Sequence, residues 1–543
     1  MASALVFTLH GRSLTSSLSY DDPIILSHAI RYSPFKYLFD PVAWQSFNWR
    51  GFYPFYLISF DVGYRVAGLS PVSFRVYQLF LVAAAGVLFA CLLRLWGVRP
   101  GSARTASAVL LLGPVFGTVA WQLMTRCFLE GAVLLLAASC VITRGLWRRS
   151  FGLVAAGSAL WLAASLEKEV FVPFLLPVAI AAVLVSARFL LPPVTCAAAY
   201  LAYRSWMAPY GVRVYDVDAL GLRALVSHGA DFIRGLPQAL FPGSGAAGAG
   251  VVAAIVILAA VLGPRDRRRV FLAGATAAAA VGPVLLVSEV LSERHVVHIW
   301  IVLALWLTLG LDEASARRER WRAVLSLATA AGLAVFLVSW SQAHEDHLRA
   351  DAAWTDDLYR LFFSNASPSD YVIGDTSIHP PFAAGLNTLR KRDGDGLEVP
   401  FLVTDAAALC RHPFPPRARL WDVRGRTIRS SPRLPEELSQ KVCSLIRRDG
   451  SFQVQLRKRG SLLEWELGPS ATGVWSLVFL TTDKDVGGPG IRYDVPCKGG
   501  VWVPSLDRPA DLYVQHIGDD GGIEQSPDFS FRLDRDVEIR WSR

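Results

Sequence analysis

The sequence predicts a polytopic α-helical membrane domain followed by an extracytoplasmic α/β plus β-sandwich-like domain. Three observations carry the prediction. Apolar residues make up 53% of the 543 residues and charged residues only 18%, against about 25% charged in an ordinary soluble domain; the mean hydropathy is +0.36. The apolar residues cluster into long runs up to about residue 340, and the remainder reads as ordinary globular sequence. The arginines between the runs fall on alternate links, the asymmetry expected of cytoplasmic loops. A wholly soluble enzyme, a disordered chain and a fibrous repeat are excluded. The net charge of +9 is read as that loop bias and not as a nucleic-acid surface.

Apolar length and breakers place spans near 72–96, 104–121, 124–143, 151–167, 169–187, 189–207, 248–263, 270–288, 296–311 and 322–340, about 10–11 in all. Arg99 and Arg104, then Arg144, Arg148 and Arg149, then Arg188, then Arg265 and Arg267–Arg269, and lastly Arg317, Arg318, Arg320 and Arg322 mark the cytoplasmic side. The outer side then holds residues 11–70, the turns at Arg126, Glu167–Glu169 and Glu293, the loop 208–247 and everything after about 341. Residues 11–70 need a span before them. Ala2–Leu9 is short beside the about 20 residues of a full span, so either Met1 is a misplaced start, the favoured expectation, or the first helix is unusually short. Loop 208–247 has the spacing of an amphipathic helix, either interfacial or docked between spans.

The domain division follows: 1–343 in the membrane, with 11–70 as the first outer loop, and 344–543 outside. The outer domain opens with a helix at about 344–364, strands at Tyr371–Gly374 and Pro400–Thr404, and β alternation from about 451. Of seven cysteines, Cys91, Cys127, Cys140 and Cys196 read as buried small apolar residues. Cys410, Cys443 and Cys497 lack zinc spacing and allow one disulfide and one leftover thiol.

Charged groups beside spans are the functional candidates. Asp21 and Asp22, in Ser19-Tyr20-Asp21-Asp22-Pro23, suit a general base or a divalent cation (Mg or Mn); the bland alternative is a cap for a helix starting at Pro23. Arg126 and Glu130 are spaced to pair on a helix. Glu167, Lys168 and Glu169 join two spans, with a solvated turn as the plain reading. Glu293 and Arg294 precede a span, and the planar Arg294 fork matches phosphate oxygens, against simple snorkelling. His295 and His298 are three apart, too few for a metal site. Asp216-Val217-Asp218 reads as a loop feature. His344, Glu345, Asp346 and His347 read as a solvated helix face. Convergence of acid and base on one side implies an outer-face site for an anionic, lipid-linked substrate.

The order of these stretches, Tyr20–Pro23, Asn48–Tyr56, Trp121–Glu130, Ser165–Val170 and Ser292–Val296, resembles the GT-C superfamily of polytopic glycosyltransferases, and most of all bacterial relatives of the protein O-mannosyltransferases. The resemblance covers about residues 1–340. It implies a membrane enzyme that takes a sugar from a polyprenyl-phosphate donor and passes it to a glycan, lipid or protein acceptor at the outer face of the bacterial plasma membrane, with inversion. It implies Asp22 or Asp21 as base, and Arg294, Arg126 and Lys168 at the donor phosphate. Arg50, Glu169, Glu293, His295 and His298 would line the cavity or acceptor side. His295 stands where relatives carry an aromatic residue, and no tetratricopeptide array follows. Two other classes compete. A transporter predicts repeated halves and midplane charges, which the sequence lacks. A non-catalytic scaffold predicts that Asp21, Asp22 and Arg294 are replaceable.

Overall fold

The computed structural model describes residues 2–19, 21–47, 51–208, 222–262, 267–285, 293–316, 320–374, 380–393, 398–410, 419–423, 426–430, 440, 442–447, 453–459, 462–470, 472–480, 489–502, 509–532 and 536–542. Arg50 and the Asp216–Asp218 string lie outside the described residues. The chain divides into two compact units: 1–17 with 29–353, and 18–28 with 354–543.

The first unit is helical. Among the described residues three helices are long and apolar enough to cross a membrane, Pro71–Leu95, Leu123–Arg148 and Glu293–Glu313, and a bent pair makes up to four. Shorter apolar helices include Phe151–Glu167, Glu169–Val185 and Ala246–Ile257. Proline opens several helices, at Pro34, Pro54, Pro71, Pro100 and Pro114, where its missing N–H is no loss. Pro71–Leu95 shows the polarity inversion of a membrane helix. Val72, Val76, Phe80 and Val87 are exposed, while Arg75 and Gln78 are fully buried. Those two bind backbone oxygens at the end of the helix Pro114–Trp121: Arg75 donates to the Trp121 carbonyl and Gln78 to those of Val119 and Gln122. Arg75 also donates to Ser16 O at 3.1 Å and Ser17 O at 2.7 Å. Carbonyls left open at a helix C-terminus are thereby satisfied inside an apolar environment.

Two expected boundaries differ, for physical reasons. The span expected at 104–121 is two helices, Pro100–Leu112 and Pro114–Trp121, bent by 56°. Pro114 cannot donate to the carbonyl four residues back, and Trp300 Nε1 donates to that Leu110 carbonyl at 3.0 Å. Gly113 makes room, since a Cβ there would overlap the Trp300 indole. The span expected at 322–340 and the outer-domain helix expected at 344–364 join in one helix, Arg320–Arg360. No Gly or Pro interrupts 333–360, and charged residues alone do not stop a helix.

The second unit is mixed. Tyr371–Gly374 pairs in parallel with Phe401–Val403 and Leu420–Val423, and Arg429–Ser430 adds an antiparallel edge. The helix Pro380–Asp393 makes the crossover between the first two strands, as parallel pairing requires. Phe362, Val372, Leu386 and Leu402 fill this core. Two mainly antiparallel sheets follow. One runs Lys498–Trp502, Leu462–Gly468, Gln453–Arg459, Val537–Ser542, and the other centres on Pro509–Ile517 beside Val474–Leu480. Leu456, Trp465, Trp475, Leu477 and Val514 from both sheets share one core, which makes a sandwich. Cys410 and Cys443 form a disulfide, and Cys497 is a free, exposed thiol.

Candidate functional site at the helix ends of the first unit

Lys168 ends the apolar helix Phe151–Glu167 as its C-cap. Its ammonium lies 4.0 Å from the Tyr53 ring centroid and 5.2 Å from that of Phe128. The one-turn helix Glu293–Val296 carries Arg294 and His295. The His295 ring packs edge-on to the same Phe128, 5.7 Å between centroids. The charges of Arg294 and Lys168 both bear on His295, as does that of His298, and both bear on Cys127 together with the carboxyls of Glu167 and Glu130. Arg294 Nη1 has a sulfur for company, Met124 Sδ at 3.8 Å. Among the described residues neither Lys168 nor Arg294 has a carboxylate at ion-pair distance. Both are partly buried. A cation held over two aromatic rings and a second beside a thioether, neither ion-paired to a carboxylate, favour an incoming anion.

The other predicted basic and acidic residues sit differently. Arg126 is buried, with its guanidinium 4.3 Å from the Phe60 ring centroid and 5.1 Å from those of Phe74 and Tyr77. It donates to Phe74 O and Ser59 Oγ. Glu130 accepts from Ser59 at 2.7 Å and Tyr77 at 2.9 Å, and the Glu167 carboxyl adjoins it. That group is a buried polar cluster. Glu169 pairs with Arg204 at 2.8 Å. His298 is buried, with Nε2 2.9 Å from Ala280 O. Lys168, Arg294 and His295 therefore come together, Glu293 turns to Thr118 and His344, and Arg126, Glu169 and His298 are held by other partners.

Glu293 is braced from two sides. Thr118 Oγ1 donates to its carboxylate, and His344 Nε2 lies 3.2 Å from it and 2.9 Å from Thr118 Oγ1. Beside them His10 Nδ1 and Trp121 Nε1 each lie 3.4 Å from Glu345 Oε1. Sequence reasoning missed this brace by reading His344 and Glu345 as a solvated face. A signal was present: Leu333, Leu337, Ser341, His344 and Leu348 are all buried, and their 4-4-3-4 spacing marks one helix stripe. Tyr77 and Ser59 were missed because neither lies in a charged stretch.

Asp21 and Asp22 lie in the second unit. Asp22 opens the helix Asp22–Arg31 and is fully buried. Its Oδ2 accepts from Ser19 N at 2.9 Å and from Ser19 Oγ at 3.2 Å, and its own N–H donates to Ser19 O at 2.9 Å. Ile25 N donates to Asp21 O at 3.0 Å. This reciprocal turn fixes the acidic pair through local backbone geometry. Among the described residues no three His, Cys, Asp or Glu side chains gather as metal ligands, and Asp21 with Asp22 do not by themselves make a divalent-cation site.

No protein-family model matches the chain, and no curated protein matches it. Solved structures similar to it include two of one protein. The crystal structure of ArnT from Cupriavidus metallidurans bound to undecaprenyl phosphate is 12% identical, with a TM-score of 0.42, covering 78% of this chain and 91% of that one. The structure of ArnT from the same organism in the apo state is 14% identical, with a TM-score of 0.44, covering 78% and 92%.

Proposed function

We propose that the chain is a multi-span membrane glycosyltransferase, moving a sugar from a polyprenyl-phosphate donor to a glycan, lipid or protein acceptor on the outer face of the membrane. The observation that supports this most is the pairing of Lys168 and Arg294. Two partly buried cations without carboxylate partners share the Phe128 neighbourhood at the ends of apolar helices. A lipid phosphate has both halves of the matching chemistry: an anion for the cations and an apolar tail for the bilayer.

In the proposed reaction the bond between the anomeric carbon and the phosphate oxygen breaks. The electron pair leaves with the lipid phosphate, where Lys168 and Arg294 stabilise the growing negative charge. The acceptor hydroxyl oxygen forms the new bond to that carbon from the opposite face, and its proton passes to a carboxylate. Asp22 or Asp21 supplies that carboxylate. Glu293, fixed by Thr118 and His344, orients the short helix that presents Arg294. In this reading the C-terminal unit faces the extracytoplasmic side.

The experiment is the envelope-glycan mass profile of three strains: wild type, a deletion, and Asp21→Asn with Asp22→Asn, the protein level being checked in each membrane fraction. Loss of one sugar mass in both mutant strains supports the reading and names the sugar class. Loss in the deletion alone removes the Asp base. No change in either strain overturns the transferase reading in favour of a scaffold.

A further inference from the structure

We infer that the C-terminal unit is the mechanical support of the acidic segment: the helix Pro380–Asp393 holds Asp21 and Asp22 in place through Gly385. The inference deepens the proposed function and rests on it only for its effect on transfer. Residues 18–28 belong to the same compact unit as 354–543, although some 330 residues separate them in the chain. Gly385 lies inside the helix Pro380–Asp393 and is buried. A Cβ on Gly385 would fall 2.8 Å from Ile24 Cα, and closer still to Ile24 N and the Pro23 carbonyl carbon. Every neighbour in that trio is backbone, so no side chain can swing aside. Only glycine allows this approach.

The atoms approached are those of the first turn after the acidic pair. Pro23 and Ile24 follow Asp22 directly, and the turn is locked by Ser19 and by Ile25 N on Asp21 O. Pushing Pro23 and Ile24 outward therefore moves Asp22 with them. The helix Pro380–Asp393 is itself anchored: Phe382, Ala383 and Leu386 sit in the α/β core with Val372 and Leu402, Asn387 Oδ1 accepts from Val399 N at 3.1 Å, and Arg390 donates to Phe362 O at 3.1 Å. A rigid crossover helix thus presents a flat glycine face to the acidic turn. This gives the C-terminal unit a role in positioning the acidic turn. Gly385 is a positioning residue in this account, not a catalytic one.

Amide hydrogen exchange on the full chain in lipid nanodiscs tests the inference. In the wild-type chain, the amides of 24–28 should open with the same denaturant dependence as those of Pro380–Asp393, as one cooperative unit. Gly385→Ala and, more strongly, Gly385→Val should speed exchange at 24–28 by about tenfold or more. Exchange in Gln453–Arg459 and Leu462–Gly468, and formation of the Cys410–Cys443 disulfide, should stay as in the wild type. Transfer should fall in step with exchange, and as far as in Asp22→Asn. Separate opening of 24–28 and Pro380–Asp393 in the wild-type chain overturns the inference without any variant. So does unchanged exchange at 24–28 in Gly385→Val. Faster exchange with full transfer, together with a fully active Asp22→Asn, upholds the support and refutes the proposed base instead.

Discussion

Replacing Arg294 by Gln should weaken donor binding without disturbing the fold. Arg294 is partly buried, touches Met124 Sδ, and among the described residues faces no carboxylate. Its removal therefore strands no buried acid, which is the usual source of a large folding cost. What it removes is a charge-assisted contact to phosphate, about 1.5–3 kcal/mol, or about 10- to 150-fold in affinity. Lys168 remains and keeps part of the attraction. Arg294→Lys should lie between Gln and the wild type, because the charge survives and the planar fork does not. The assay is binding of a polyprenyl phosphate to the purified full chain in nanodiscs, with membrane insertion checked by yield and thermal unfolding. If Arg294→Gln binds within about twofold of the wild type while folding normally, the phosphate assignment is wrong.

Arg126 should behave in the opposite way. It is enclosed by three rings beside Glu130, so Arg126→Met should cost about 3–5 kcal/mol of stability, seen as lost yield of inserted protein, with Glu130→Gln in the same chain restoring part of it. Gly113→Ala should strain the bend against Trp300 and cost about 1–3 kcal/mol, read by thermal unfolding. Burial pushes the Asp405 carboxyl above the usual carboxylate range, although the Tyr513 hydroxyl, 2.5 Å away, pulls it down. A raised folded-state value means that its contribution is complete below the unfolded value, about 4, and is lost as pH rises through the folded one. Unfolding of the β-rich part should therefore ease from about pH 4 upward, and Asp405→Asn should flatten that slope. Cys443→Ser opens a loop closed over a sequence separation of 33 and should cost about 3–4 kcal/mol in urea unfolding of that part.

Much of the architecture was legible because it is written in composition and period. The helical unit follows from long apolar runs, the C-terminal β part from alternation after 451, and the two strands Tyr371–Gly374 and Phe401–Val403 from short β-rich stretches between breakers. The disulfide was legible only as an option, since spacing does not choose among Cys410, Cys443 and Cys497. The bend at Gly113–Pro114 was written in the sequence, but its tolerance depends on Trp300, nearly two hundred residues away. At the candidate site, Lys168, Glu293, Arg294 and His295 stood out as charge where a bare link would serve. That rule cannot separate an open cation from a satisfied one. Arg126 and Glu169 carry the same signal, and only Phe60, Tyr77 and Arg204 reveal their partners. His344 was masked by charged neighbours, although the stripe from Leu333 to Leu348 runs straight through it. The approach of Gly385 to Pro23 and Ile24 has no sequence signal, because it joins residues far apart in the chain.

The most direct measurement is release of free polyprenyl phosphate by the purified full chain, given a panel of polyprenyl-phosphate hexoses and pentoses and a membrane extract as acceptor source. The account predicts one lipid phosphate released for each sugar moved, with one donor preferred. It also predicts release lowered at least about tenfold in Lys168→Met with Arg294→Gln. Absence of release from every donor, or equal release by that double variant, would contradict it.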